Sequence, residues 1–318
     1  MPLNSQTLNS GTQGPERWAV ILAGGDGTRL SSLTRSISGD DRPKQFCPIV
    51  GGRTLLDQTR ERVALSVSPS KTVIVVTQKH ERFYRTLANS LPERLLVAQP
   101  RNRGTAPAIL YALLKIASQA PQAIVALFPS DHYFADDEAF MSYVDTAYDA
   151  ARIRPETITL LGITPTSAEP EYGWIEPKPS ILSRLPHSIT RVEKFWEKPS
   201  PVLAEELLSR GCLWNSFVMV GRIDQLLTMT HRAVPQLFSS FVRVVPTFGR
   251  STGHRAMQEV YSSIGETNFS HQVLANRAKD LSVMRVGEVG WSDLGDPARV
   301  FSTLSRIGLQ TEFAAVAS

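Results

Sequence analysis

Short apolar runs alternate with segments of helical spacing over the first 165 residues, and this alternation restricts the possible folds more than any other feature of the chain. Residues 18–23, 72–77, 95–98, 123–128 and 157–162 each read as a strand. Their apolar residues are continuous, as expected of strands covered on both faces. Between them, residues 54–65, 81–89, 106–118 and 137–153 read as helices; in the first, Leu55, Thr59 and Val63 fall roughly on one face. Such β-α repetition predicts an α/β chain with a Rossmann-like, mostly parallel mixed sheet and helices on both faces. Ligands in that architecture bind beyond the carboxyl ends of the strands.

After residue 162 the pattern changes. Pro165, Pro170, Pro177, Pro179 and Pro186 break up short strand-like pieces, including residues 172–176 and 188–195. Helical spacing returns at 202–209 and 223–231. The expected organisation is a disordered polar leader over 1–16, a first half over 17–165, a smaller second half over 166–300 folded over the ligand edge, and a C-terminal helix and tail over 301–318.

Composition excludes several classes. The longest apolar runs are strand-sized, far short of a membrane span. Basic and acidic residues number 34 and 30 and are interspersed, with no basic tract or basic–aromatic ladder for nucleic acid. Cys47 and Cys212 do not make a disulfide framework, and a reducing, cytoplasmic compartment suits them.

The most informative segment is Leu22-Ala23-Gly24-Gly25-Asp26-Gly27-Thr28-Arg29-Leu30, directly after the first strand. Glycines let backbone N–H groups approach phosphate oxygens without Cβ clashes, and Arg29 adds a planar, permanently charged fork. The segment is neither a P-loop nor a dinucleotide fingerprint, since it lacks both spacings. Pro129-Ser130-Asp131-His132 follows the fourth strand, which places a carboxylate at the same edge, where it either holds a divalent cation or caps the next helix.

Gly24-Gly25-x-Gly27-Thr28-Arg29-Leu30 resembles the signature of the sugar-1-phosphate nucleotidyltransferases, and Pro43-Lys44-Gln45-Phe46 is similar to a motif of the mannose-1-phosphate guanylyltransferase branch. The resemblance runs from about residue 18 to 294. It implies that 17–165 is the nucleotide-binding half and 166–300 the sugar-phosphate-binding half. It implies catalytic roles for Arg29, Lys44, Asp131 and Asp293, the last from Trp291-Ser292-Asp293-Leu294-Gly295. Mg²⁺ on Asp131 and Asp293 is the implied cofactor. Leu22, Ala23, Gly24, Gly25, Gly27, Thr28, Gln99, Gly104, Thr105 and Ser130 are the implied nucleotide-binding residues. Gly173, from Tyr172-Gly173-Trp174-Ile175, Glu197 and Lys198, from Phe195-Trp196-Glu197-Lys198-Pro199, and Asn215, from Trp214-Asn215-Ser216, are implied on the sugar-phosphate side.

The base segment, Gln99-Pro100-Arg101-Asn102-Arg103-Gly104-Thr105-Ala106-Pro107-Ala108, departs from the guanylyl pattern, which has Glu at 99 and Asn at 104. Phe217 stands where those enzymes usually have Gly, and Ser270-His271-Gln272 where they have Ser-x-Asp. The implied activity is transfer from GTP to mannose-1-phosphate. A uridylyl- or thymidylyltransferase for another hexose-1-phosphate is the alternative. A non-catalytic, nucleotide-sugar-binding regulatory subunit is the contrasting reading, although the five charged residues Arg29, Lys44, Asp131, Lys198 and Asp293 are all present. The expected partners are the two small-molecule substrates, with no nucleic acid and no membrane; a homo-oligomer is left open.

Overall fold

The computed structural model describes residues 14–180 and 187–309, so most of the expected leader and the end of the C-terminal tail lie outside the described residues. The first half is built as β1 (Arg17–Leu22), β2 (Thr72–Thr77), β3 (Leu96–Gln99), β4 (Ile124–Pro129) and β5 (Ile158–Ile163). Between these strands lie α1 (Ser31–Ser38), α2 (Leu55–Ala64), α3 (Glu81–Ser90), α4 (Thr105–Ala117) and α5 (Asp137–Ile153). The second half adds β6 (Gly173–Pro177), β7 (Ile189–Glu197), β8 (Leu213–Arg222) and β9 (Leu281–Val286). Its helices are α6 (Pro201–Ser209), α7 (Ile223–Ala233), α8 (Pro235–Val242), α9 (Gly253–Ser263) and α10 (Pro297–Arg306).

All these strands form one mixed sheet in the order β3-β2-β1-β4-β8-β5-β9-β7-β6. Pairing is parallel across β3-β2-β1-β4 and between β5 and β9, and antiparallel elsewhere. The chain steps outward from β1 to β3 and returns on the other side with β4. That reversal leaves a crevice at the carboxyl ends of β1 and β4, where the two most informative loops begin. At the far end β6 pairs with both β7 and β8, through Trp174 opposite Trp214, and so closes a five-strand circuit β8-β5-β9-β7-β6. Closure leaves that end without a free strand edge.

Alternate residues of each central strand enter different cores. Val20, Val75, Val125 and Leu127 pack under α4 and α7–α9 through Ile109, Leu113, Met229 and Phe241. Ile21, Ile74, Ala126 and Phe128 pack under α2, α3 and α5 through Val63, Tyr84, Phe140 and Val144. Full burial of each large apolar side chain contributes about 1.5–3 kcal/mol, so continuous apolar strands are stable only with both faces covered. A third cluster joins α1 to α10 through Leu33, Ile49, Val300 and Leu304 and brings residue 293 back to the glycine loop.

Local signals start the helices. Thr54, Asp136, Ser200 and Asp296 each cap a helix by accepting a backbone N–H three residues on, and Pro201 and Pro297 occupy first-turn positions. The sequence reading misses α1, α8 and α9, expects α10 only from residue 301, and misses two strands. β8 runs antiparallel between β4 and β5, its apolar pattern interrupted by Asn215 and Ser216 and its register shifted opposite residues 160–162. β9 pairs with β5 from 118 residues further along, a partnership no local pattern announces. Among the described residues no helix is long and apolar enough to cross a membrane.

Candidate active site

A cleft of about 450 Å³ opens at the carboxyl ends of β1 and β4 and gathers most of the motif residues. A hollow of about 560 Å³ beside α2 holds none of them, and its charges are paired among themselves, Arg60 with Asp57 at 3.2 Å and Arg53 with Glu61.

On the wall after β1, the Leu22 carbonyl accepts from Ser130 N at 3.2 Å and Ala23 N donates to the Val75 carbonyl at 2.7 Å, which continues the sheet into the glycine loop. Gln45 Nε2 then donates to the carbonyls of Ala23 and Gly25, at 3.0 and 2.8 Å, fixing the loop from below. A Cβ at Gly24 would stand 2.5 Å from Gln99 Nε2; at Gly25 it would meet nothing within 4 Å, because that position opens on the cleft. Gly27 has φ +63°, with the Lys44 backbone N 3.0 Å from where a Cβ would stand. The loop thus needs glycine at 24 for space and at 27 for its backbone conformation, while Gly25 leaves the backbone open to the cleft. Ala23 and Ser130 are buried behind the wall, Thr28 opens a short 3-10 turn, and Leu22 and Arg29 line the cleft.

The base segment is held by a loop that sequence reasoning missed. Gly104 adopts φ +83°, and a Cβ there would meet the Thr267 carbonyl oxygen at 2.4 Å, so the Asn of the guanylyl pattern does not fit. Thr267 N donates to the Arg103 carbonyl, Ala106 N to the Thr267 carbonyl, and Phe269 N to Thr105 Oγ1 at 2.8 Å. Glu266, Asn268 and Ser270 of this loop line the cleft alongside Gln99, Gly104 and Thr105.

The acidic floor is built by two segments. The helix that follows β4 is capped by Asp136 and α10 by Asp296, so neither Asp131 nor Asp293 is spent as a helix cap. Lys44, 8% exposed, directs its ammonium at the Asp293 and Leu294 carbonyls (2.7 and 3.1 Å) and at Asp131 Oδ2 (3.3 Å). Two of its N–H donors thus have carbonyl partners, and its charge is paired with Asp131. The sequence expectation faces Lys44 toward the triphosphate; in the structure its ammonium rests on these two carbonyls and on Asp131.

Asp293 accepts from Arg299 Nη1 on both oxygens at 2.8 Å, and on Oδ1 also from the Tyr172 hydroxyl and Gly295 N. Burial works against its ionised form, but His132, Arg299 and Lys44 outweigh it and hold the carboxyl below its usual range. His132 is pushed down to about 4, by burial first, so the ring is neutral at pH 7. Trp291 Nε1 donates to its Nδ1 at 3.3 Å, which leaves the proton on Nε2.

Mg²⁺ prefers hard oxygen donors, keeps several waters and usually takes one or two carboxylates plus substrate phosphates. Asp131 Oδ1 has no hydrogen-bond partner among the described residues, and Asp293 Oδ2 has Arg299 alone. Both carboxylates line the cleft. No set of three or more His, Cys, Asp or Glu converges among the described residues, so the donors present suit an ion shared with a bound phosphate.

On the opposite wall, a Cβ at Gly173 would stand 3.0 Å from Glu197 Oε2 and 3.4 Å from Asn215 Cβ, which brings these three together. Burial pushes the Glu197 carboxyl up, against Lys198 and His271. Asn215 Oδ1 accepts from Phe217 N at 3.0 Å and leaves its NH₂ as a donor. Phe217 holds φ +60°, a left-handed conformation costly for a bulky residue, and its ring also lines the cleft. Lys198 lies at the rim and donates to Glu171 Oε2 at 3.2 Å; Arg29 approaches the same oxygen at 3.8 Å. Glu171 thus occupies an anion position between a cation from each half, which no motif indicated.

The family model described as Nucleotidyl transferase matches residues 18–307. The chain belongs to the nucleotidyl transferase family. Among curated relatives of this nucleotidyl transferase, the alginate biosynthesis protein AlgA of Pseudomonas fluorescens is 30% identical over 280 residues, 87% of this chain and 56% of that protein. A mannose-1-phosphate guanylyltransferase of Escherichia coli K12 is 28% identical over 287 residues, 87% of this chain and 58% of that one. The chain therefore spans little more than half the length of the curated relatives it matches. A crystal structure described as mannose-1-phosphate geranyltransferase from Thermus thermophilus is 30% identical with a TM-score of 0.77, covering 90% of this chain and 79% of that one.

Proposed function

We propose that this nucleotidyl transferase moves a guanylyl group from GTP to mannose-1-phosphate, giving GDP-mannose and pyrophosphate. The observation that carries the reading is the convergence in one cleft of the glycine loop with Arg29, the Asp131–Asp293 floor, and Gly173, Glu197 and Asn215 opposite. Similarity to a mannose-1-phosphate guanylyltransferase supports the choice of substrates.

The attacking atom is a phosphate oxygen already ionised at pH 7, so no general base or covalent intermediate is required. Catalysis then consists of alignment for in-line attack on the α-phosphorus and neutralisation of developing charge. Gly25 offers its open backbone to the triphosphate, and Arg29 stabilises the departing pyrophosphate. Lys198, paired with Glu171 at the rim, holds the acceptor phosphate. Glu197 accepts from sugar hydroxyls and Asn215 donates to them. Asp131 and Asp293 would hold Mg²⁺, which when bound supplies charge neutralisation and polarisation of the phosphoryl oxygens. Two free, buried cysteines suit a reducing cytoplasm.

A uridylyl or thymidylyl transfer is the second reading, favoured by Gln99 and by the Gly104 conformation that shuts out Asn. The test is ³¹P NMR of the protein with GTP, mannose-1-phosphate and Mg²⁺. The expected spectrum loses the monoester resonance and gains those of a diphosphate diester and free pyrophosphate in equal amounts. Release of orthophosphate with mannose-1-phosphate untouched would overturn the proposal.

A further inference from the structure

We infer that Tyr261 sets the class of nucleobase the cleft accepts, by fixing the Gln99 carboxamide so that its NH₂ group faces the base and its oxygen faces the core. The class selected is a base with a keto oxygen at the contact: guanine, uracil or thymine in preference to adenine or cytosine. The inference rests on the cleft being a nucleotide site, as in the reading above, but not on GTP being the natural donor.

Gln99 ends β3 at the ligand edge, is 2% exposed, and lines the cleft next to Gly24. Its oxygen is spent. Tyr261, on α9 and fully buried, donates its hydroxyl to Gln99 Oε1 at 3.0 Å. The reverse amide orientation would have Nε2 donating to the phenol oxygen, and the phenol hydrogen would then lose the one acceptor it has among the described residues. A buried hydroxyl without an acceptor is costly, so the Tyr261 proton selects the amide orientation. Burial pushes the Tyr261 hydroxyl well above its usual range, which keeps that proton in place at any working pH.

The other end of the amide is a donor without a recipient. Gln99 Nε2 lies against Gly24, 2.5 Å from where a Cβ there would stand, and among the described residues it has no hydrogen-bond acceptor. Nor is it sealed from the cleft, unlike the buried unpartnered atoms such as Trp214 Nε1. A nearly buried NH₂ beside a phosphate-type loop therefore calls for an acceptor from the ligand. Guanine O6 and the O4 of uracil or thymine supply one, whereas the exocyclic amines of adenine and cytosine set N–H against N–H. Discrimination by a polar group left unpaired is the kind that binding sites achieve most readily. Tyr261 acts through Gln99 and is thus a positioning residue.

The experiment is calorimetric titration with GTP, UTP, dTTP, ATP and CTP in the presence of Mg²⁺, without sugar phosphate, so that binding is read apart from turnover. The wild-type protein is expected to bind the best keto nucleotide about tenfold or more tighter than ATP or CTP, the worth of about one hydrogen bond. Tyr261→Phe keeps the ring that packs on Phe241 at 5.7 Å and removes only the hydroxyl. It is expected to shrink that ratio severalfold, with the gain appearing as tighter ATP or CTP binding. A structural role alone would weaken all five nucleotides together. Gln99→Met, similar in length and without the amide, should lose the ratio as well, and a ratio unchanged there overturns the inference even if Tyr261→Phe does not fold. A ratio unchanged in the folded variant, or a wild type that binds ATP as tightly as the keto nucleotides, overturns the inference. Keto preference that vanishes in the variants while no nucleotide-sugar forms would overturn the transfer reading and leave the inference standing.

Discussion

Asp131→Asn is expected to lower kcat a hundredfold or more while leaving the fold intact. The change removes one charge from an exposed edge of the sheet, where about 3–4 kcal/mol of transition-state stabilisation is typical of a single electrostatic element. The fold tolerates it because Lys44 keeps two carbonyl acceptors, on Asp293 and Leu294, after its counter-charge is gone. Asp293→Asn should lose activity similarly, and the double variant should lose much less than the product of the two if both carboxylates serve one site. The measurement is kcat at saturating Mg²⁺ alongside a thermal melt. Wild-type turnover in Asp131→Asn would remove this carboxylate from the mechanism.

Arg299→Leu carries the largest expected effect on stability. Arg299 meets both Asp293 oxygens at 2.8 Å, reaches Asp296 at 2.8 Å and Glu169 at 3.7 Å, and lies over the Tyr172 ring at 4.5 Å. Its removal strands a mostly buried carboxylate, a change that costs about 3–5 kcal/mol. Urea denaturation should show the midpoint falling by roughly 1 M or more. The paired variant Arg299→Leu with Asp293→Leu is the sharper check, since replacing both partners of a buried ion pair by apolar groups is often near neutral. Recovery of much of the lost stability is expected. A single variant as stable as wild type would show that water reaches Asp293 freely.

The parts legible in the sequence are those whose cause is local. β1, β2 and β4 are continuous apolar runs, and their alternation with helical segments was enough to predict a sheet covered on both faces. The glycine loop announced itself because three glycines in four positions directly after a strand mark a backbone built without side chains, two of them for lack of room or for a positive φ. Asp131 was placed at the ligand edge by its position after the fourth strand, whereas Asp293 needed the family resemblance, since taken alone it reads as a turn residue. What stayed hidden depends on chain segments far apart. The 265–270 loop acquires its place by pairing with residues 103–106, some 160 positions away, and Tyr261 reaches Gln99 across 162. Lys44 was read from the family resemblance, which gives no sign of its contacts with backbone carbonyls about 250 residues downstream. β8 was obscured by its own function: Asn215 and Ser216 interrupt the apolar run because the cleft and the β5 backbone need them polar.

The most direct test of the central claim is pyrophosphate release over a grid of GTP, UTP, dTTP, ATP and CTP against mannose-, glucose-, galactose- and N-acetylglucosamine-1-phosphate. GTP with mannose-1-phosphate should give the highest kcat/KM. UTP or dTTP should follow as secondary donors, because Gln99 offers guanine a neutral hydrogen bond in place of the stronger charge-assisted one that Glu provides. A maximum at UTP or dTTP with a glucose-type phosphate would contradict the guanylyl assignment while keeping the reaction class. No pyrophosphate from any pair, with nucleotide-sugar binding still measurable, would contradict catalysis itself and leave a binding subunit.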